Sequence, residues 1–174
     1  MFLLPNIIYR FNSYVEPMPA IEYFTIGIDE IDRIRPLWEE LNRHHLRINT
    51  RFRAHYEQMN FEERKAYFSL LCDTGLLWLD LATDPAAGTA VGYCAASVSG
   101  KKTGEIESLF IAPEYRSRGI GTALVTRALA WMGGCGAVQK RVSVSTGNED
   151  TWPFYRMFGF YPRLTVLEQT GRQQ

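Results

Sequence analysis

The run YRSRGIGTAL, Tyr115 to Leu124, sets two arginines ahead of two glycines and leads into an apolar, alanine-bearing segment. At a helix start the first N–H groups have no internal partner and the helix dipole is positive. A glycine-rich entry there offers an anion site whose bare backbone a phosphate can approach. Taken alone, Gly119 and Gly121 fit a simple turn with close helix packing equally well. Two better known phosphate loops do not match. A dinucleotide fingerprint needs Gly or Ala where this chain has Leu124, and the Gly-Lys-Ser/Thr of a P-loop is absent. His44 and His45 are adjacent, hence on different faces of a helix, and no H-E-x-x-H spacing occurs, so no metal site is expected. No Ser-His-Asp or Cys-His arrangement stands at a recognisable spacing, which argues against a covalent enzyme intermediate.

These residues need elements to position them. IEYFTIG (21–27) alternates and is rich in β-branched and aromatic residues, as a strand is, and Ile28, Ile31, Ile34 and Trp38 follow at helical spacing. Pro36 lies too deep for the first turn of a helix beginning at Asp29, so a kink or a restart is expected there. NFEERKAYFSLLCD (60–73) is a second helix candidate. GLLWLDLAT (75–83) and AVGYCAASVSG (90–100) read as an antiparallel hairpin around the turn residues of TDPAAGT. EIESLFIAP (105–113) is a strand stopped by Pro113. The helix after the glycines carries Ile120, Leu124, Ala128 and Trp131 on one stripe. QKRVSVSTG (139–147) reads as a strand, DTWPFYRMF as a short helix and RLTVLEQ (163–169) as a last strand. The order β α α β β β α β α β gives helices feeding a mixed sheet, an α/β or α+β fold, with parallel strands on either side of the crossover helix.

The chain as a whole bounds these readings. Its 174 residues, 46% hydrophobic, suffice for one sizeable core and are too few for two ordinary domains, so we expect a single domain over 20–174 preceded by an arm or extension over 1–19. The 19 basic and 19 acidic side chains cancel, leaving no chain-wide field to draw the protein onto nucleic acid or an anionic membrane. The amino end lacks a basic region before its short apolar run, and no later apolar run is long enough to span a bilayer. Cys72, Cys94 and Cys135 are widely spaced in apolar surroundings, which fits reduced thiols in the cytoplasm.

Arg116-x-x-Gly119-x-Gly121, between a strand ending at Pro113 and a helix, resembles the acetyl-CoA signature of the GNAT superfamily of N-acetyltransferases. Downstream, Asn148-x-x-Thr151-x-x-Phe154-Tyr155-x-x-x-Gly159-Phe160 resembles that family's second signature, with Thr151 where alanine is common. The likeness is strongest from Glu105 to Phe160, and the element order extends it back to Ile21. It implies a single GNAT-like domain whose mixed sheet is splayed between the strand before and the strand after the cofactor helix. It implies acetyl-CoA as cosubstrate, with the pyrophosphate on backbone N–H groups of Ser117, Arg118, Gly119, Ile120, Gly121 and Thr122 and added charge from Arg116 and Arg118. The pantetheine arm would pair with Leu109, Phe110 and Ile111 across a gap facing Val142 to Ser145, and Asn148 would touch the cofactor from the other side.

Transfer to nitrogen needs a neutral amine, yet a lysine-type amine has a pKa of ~10.4, so a base must take a proton. By the resemblance Glu107 is that base. Its strand alternation puts it on one face with Leu109 and Ile111, where desolvation favours a carboxylate as a base. The alternative is a wet strand end or an ion pair with an arginine, and Glu105 is the substitute if a bulge shifts the register. Tyr155 holds the family position for protonating the CoA thiolate, against the alternative of a core tyrosine with a satisfied hydroxyl. A backbone N–H near Phe110 or Ile111 would hold the thioester oxygen.

RHHLRINTRFRAHY (43–56) has four arginines and all three histidines and falls where GNAT proteins build the acceptor wall. It suggests an acceptor with a carboxylate or phosphate, or else a solvated basic loop whose arginines pair with neighbouring acids. The leading expectation is a cytoplasmic N-acetyltransferase acting by direct attack of a small-molecule or peptide amine. A non-catalytic acyl-CoA-binding sensor or interaction module, and a donor with a longer acyl chain, stay open. No nucleic acid or membrane partner is expected, and a homodimer is compatible with the resemblance because GNAT proteins often dimerise.

Overall fold

The computed structural model describes residues 20–49 and 51–169, so the arm expected over residues 1–19 lies outside the described residues. Strand β1 (Glu22–Ile26) enters a 3-10 stretch, Ile28–Ile34, and then helix α1 (Arg35–Ile48). Pro36 sits in the first turn of α1, where its missing N–H costs nothing, so the helix restarts at the proline as its position predicts. A short helix α2 (Arg53–Gln58), not expected from the sequence, precedes α3 (Phe61–Thr74). The Asn60 side chain caps α3 by accepting from the Glu63 N–H at 2.9 Å, and Glu62 and Glu63 in the first turn suit the helix dipole.

Strands β2 (Gly75–Asp84), β3 (Thr89–Ser99) and β4 (Thr103–Ile111) follow as a meander. The first turn is closed by Asp84, whose carboxylate accepts from the N–H groups of Ala86 and Ala87. Helix α4 (Ile120–Gly134) then crosses over to β5 (Gln139–Val142), and a 3-10 turn leads into α5 (Trp152–Arg156). The sheet runs β1-β2-β3-β4-β5, antiparallel throughout except for the parallel β4–β5 pair.

Two apolar layers cover the sheet. On one face Ile31, Ile34, Trp38 and Phe68 from the α1 and α3 side meet Leu79, Leu81, Tyr93 and Phe110. On the other, Ile120, Leu124, Val125 and Met132 of α4 meet Trp78, Val91, Ala96 and Ile106. Each large side chain fully buried in this way contributes about 1.5–3 kcal/mol. Trp131, expected on the buried stripe of α4, is half-buried and stacks on Trp78 at 6.1 Å. Asp80, fully buried on the α4 side, accepts from Arg127 at 2.5 and 3.2 Å and from Thr25 at 2.8 Å, tying β1, β2 and α4 together.

Two strand expectations fail. Pairing of β5 with β4 stops at Ile106↔Val142, so residues 143–147 are not strand. Residues 163–169, read as a last strand, are irregular, with Leu164, Val166 and Leu167 largely exposed. Strand propensity produces a strand only beside an edge that can take its N–H and C=O groups, and this stretch pairs with none among the described residues. Among those residues no helix is long and apolar enough to cross a membrane, and the three cysteines are free, with Cys94 buried, Cys135 half-buried and Cys72 exposed.

Candidate active site

The head of α4 is built for an anion. Ser117 and Gly119 have φ of +60° and +78°, which turns successive N–H groups toward one side, and glycine takes such a φ without strain. The first backbone bond of this segment runs from the Ala123 N–H to the Gly119 carbonyl at 2.9 Å. The N–H groups of residues 117–122 therefore donate to no acceptor among the described residues. Gly121 lies against Phe154, where an added Cβ would make only an ordinary contact at 3.4 Å from the ring. Arg116 donates to the Ile111 carbonyl at 3.0 Å and lies 5.6 Å from the Phe110 ring, while Arg118 lies 4.8 Å over Tyr115. Both cations border the loop.

From the loop an open edge leads inward. Because β4 and β5 part after Ile106 and Val142, residues 107–109 face residues 143–145 across a gap instead of a ladder. At the inner end lies a cavity of about 310 Å³, lined by β4, by residues 142–145, by Asn148 and Tyr155, and by side chains of α1, α2 and α3.

Here the register corrects a sequence expectation. Ala95 pairs with Ser108 and Ala96 with Ile106, so β4 carries one extra residue, a bulge at Glu107. Beyond it the alternation reverses: Leu109 and Ile111 pack on the α4 side, whereas Glu107 turns to the α3 side with Ser97 and Tyr67. Glu107 does not share a face with Leu109 and Ile111. Its carboxylate accepts from the Ser97 hydroxyl at 2.5 Å and the Tyr67 hydroxyl at 3.0 Å and has no cation partner among the described residues. Glu105, by contrast, is ion-paired with Arg141 at 2.6 Å and accepts from Ser143 at 3.0 Å. Of the two acids only Glu107 keeps its charge unneutralised.

Tyr155 is largely buried between Phe154 and Phe160 and lines the same cavity. Burial pushes its phenol well above the usual range, with a smaller push from Cys94, so it holds its proton at neutral pH. Its hydroxyl makes no hydrogen bond to a described residue. Asn148 bonds the His44 ring at 3.3 Å, joining the second signature to α1. His45 turns the other way, as adjacency requires, and stacks on Tyr56 at 5.1 Å. Burial lowers its pKa to about 4, helped by the positive charges of His44 and Arg64.

The structure thus gathers Glu107, Tyr155, Leu109 and Asn148 around one cavity, with the loop of residues 116–122 at the outer end of the gap. Sequence reasoning missed Tyr67 and Ser97, which hold Glu107, and Asn42 and Arg64, which line the cavity. No spacing signal marks them, since they come from separate elements. The basic run 43–56 divides: Arg43 lies beside Glu40 and Arg53 beside Glu57, exposed, while His45, His55 and Tyr56 line the cavity. The arginines follow the paired, solvated alternative, and the aromatic and histidine members sit where the acceptor-wall expectation put the run.

Comparison with known proteins bears on the family and the fold. The acetyltransferase (GNAT) family model matches residues 37–160. An uncharacterized N-acetyltransferase of Methanocaldococcus jannaschii is 30% identical over 85 residues, which is 45% of this chain and 38% of that protein, so the match spans well under half the length of that relative. Among solved structures, the aminoglycoside N-acetyltransferase AAC(6')-Iy in complex with CoA superposes with a TM-score of 0.66 at 16% identity, covering 91% of this chain and 99% of the other. A GCN5-related N-acetyltransferase from Ralstonia eutropha JMP134 gives 0.66 at 19% identity over 87% and 99% of the two chains.

Proposed function

The chain belongs to the GNAT acetyltransferase family, and we propose that it transfers the acetyl group of acetyl-CoA to a primary amine by direct attack. One observation carries this reading: the unpaired N–H groups of residues 117–122, the open edge of β4, and the acid and phenol at its inner end form one continuous path. The groups present fit the cosubstrate. A pyrophosphate suits the N–H cluster at a helix head, and the amides of a pantetheine arm suit an unpaired strand edge. When bound, acetyl-CoA supplies an activated acetyl thioester.

The remaining work falls to this chain's own residues. The N–H groups of Ser117 to Thr122 hold the pyrophosphate, with Arg116 and Arg118 adding positive charge. Leu109 to Ile111 align the arm, and a backbone N–H near Phe110 or Ile111 donates to the thioester oxygen. Asn148, its oxygen held by His44, offers its amide N–H groups from the opposite side. Glu107, with lone pairs left beyond those given to Ser97 and Tyr67, takes a proton from the ammonium directly or through water. The nitrogen lone pair then forms the C–N bond as the C–S bond breaks. Tyr155 gives its proton to the leaving sulfur and is reprotonated by the one the new amide sheds. The net products are the N-acetylated amine, CoA thiol and the proton that leaves through Glu107. Free, isolated thiols suit a reducing compartment, so we place the enzyme in the cytoplasm.

The test is release of CoA thiol from acetyl-CoA over a panel of small amines, amino acids and short peptides. Amine-dependent release that disappears in Glu107→Gln supports the reading. Tight acetyl-CoA binding with no release above the amine-free background for any member would leave a binding module in place of an enzyme.

A further inference from the structure

The two walls of the inner cavity are chemically unlike. On the β4 side the acids Glu105 and Glu107 are already engaged, by Arg141 and Ser143 and by Ser97 and Tyr67. The opposite wall, from α1 and α3, carries polar groups that the protein leaves unpaired. Four side-chain polar atoms are sealed from solvent without a hydrogen bond among the described residues, and three of them, Asn42 Oδ1, His45 Nδ1 and Arg64 Nε, belong to residues lining this cavity. The Asn42 amide is fixed in orientation because its nitrogen donates to the carbonyls of Tyr56 and Met59. Its oxygen is therefore an acceptor without a donor.

Arg64 is the telling member. Its guanidinium forms no ion pair and no hydrogen bond with any described residue. Aromatic rings hold it instead, at 5.5 Å from Tyr67 and 5.1 Å from Phe68. A half-buried arginine positioned by rings and left without a counter-ion, on the wall facing the acids, is arranged to receive an anion from the cavity. A guanidinium also matches the flat fork of a carboxylate.

Resting on the acetyl-transfer reading above, we propose that the acceptor is a small amine that also carries a carboxylate, an amino acid or close analogue, and that Arg64 is the specificity-determining residue that receives the carboxylate. The amine then points toward Glu107 while the carboxylate points toward Arg64, so the cavity is complementary to a zwitterion. Asn42 and His45 flank the carboxylate end and are free to bond a polar substituent near it. A cavity of about 310 Å³ suits a molecule of this size better than a folded partner.

The experiment compares matched pairs differing only in the carboxylate: phenylalanine with phenethylamine, tryptophan with tryptamine, histidine with histamine. Binding to the protein saturated with CoA is measured by calorimetry and turnover by thiol release, for the wild type, Arg64→Gln and Arg64→Lys. We expect the carboxylated member of at least one pair to bind about tenfold or more tightly. That preference collapses in Arg64→Gln, is partly kept in Arg64→Lys, and affinity for the decarboxylated member barely changes. Equal or better binding of the decarboxylated members in the wild type overturns the proposal, as does a preference that survives Arg64→Gln, and as does binding of neither series. Because binding is read without turnover, a kept carboxylate preference with no thiol release overturns the catalytic reading alone.

Discussion

The two ends of the site are made of different material. The outer end, at the head of α4, consists of main chain: N–H groups of residues 117–122 given their direction by Ser117 and Gly119. The inner end consists of side chains brought from far apart, with Glu107 bonded to Tyr67 at a sequence separation of 40 and His44 to Asn148 at 104. A main-chain site is complete within one turn and one helix start, so it is carried by a short contiguous motif. A side-chain cavity exists only once the sheet and three helices have packed. The outer end can therefore stay constant while the inner end is rebuilt for different acceptors.

If the division is real, substitutions should separate the two ends. The largest effect is expected from Tyr155→Phe, which removes the acid and keeps the ring. Turnover should fall by ~10²-fold or more with acetyl-CoA affinity nearly unchanged, and a parallel loss of both in stopped-flow and calorimetric measurements would merge the two ends. Next, Gly119→Val puts a branched side chain at φ +78° and in the path of an anion. Acetyl-CoA affinity should weaken by about tenfold or more, while binding of the amine to the free protein stays as it was. Equilibrium titration of each ligand alone checks this.

Smaller effects sharpen the inner end. Ser97→Ala removes one of the two donors that hold Glu107, and a net hydrogen bond of about 1 kcal/mol implies a loss of about fivefold in kcat with KM for acetyl-CoA unchanged. The smallest concerns protonation. The pKa of His45 is depressed to about 4 from 6.5, so between those values the unfolded chain binds the proton more tightly than the folded one. Stability from this group is full above pH 6.5 and is lost as pH falls toward 4. The ring is only half-buried, so the contribution is on the order of 1 kcal/mol. Thermal melts should show His45→Phe, which keeps the stack on Tyr56, losing less stability than the wild type across that window. Equal losses would mean the imidazole is no more hindered from protonating in the folded state.

Much of this was legible in the sequence, and the parts that were not share a cause. Local signals placed the α4 entry, the helix over 60–73 and the restart at Pro36, because each depends on neighbours a few residues away. The bulge at Glu107 was not legible, since it is a property of how β4 pairs with β3. Plain alternation put Glu107 on the wrong face. Residues 163–169 have the composition of a strand and form none, because strand formation is decided by a partner edge. The basic run 43–56 drew attention by its charge, yet Arg43 and Arg53 spend theirs on acids of their own helices. The unpaired cation of the cavity wall is Arg64, from a stretch whose sequence announced only a helix.

The most direct test of the central claim is calorimetric titration of the protein with acetyl-CoA, in parallel with NAD and ATP. The account predicts saturable one-to-one binding of acetyl-CoA, no comparable binding of NAD or ATP, and marked weakening in Gly119→Val. No heat with acetyl-CoA at any concentration, from a protein that melts cooperatively, would mean that the glycines only turn the chain. The path from the loop to Glu107 and Tyr155 would then have no cosubstrate to guide.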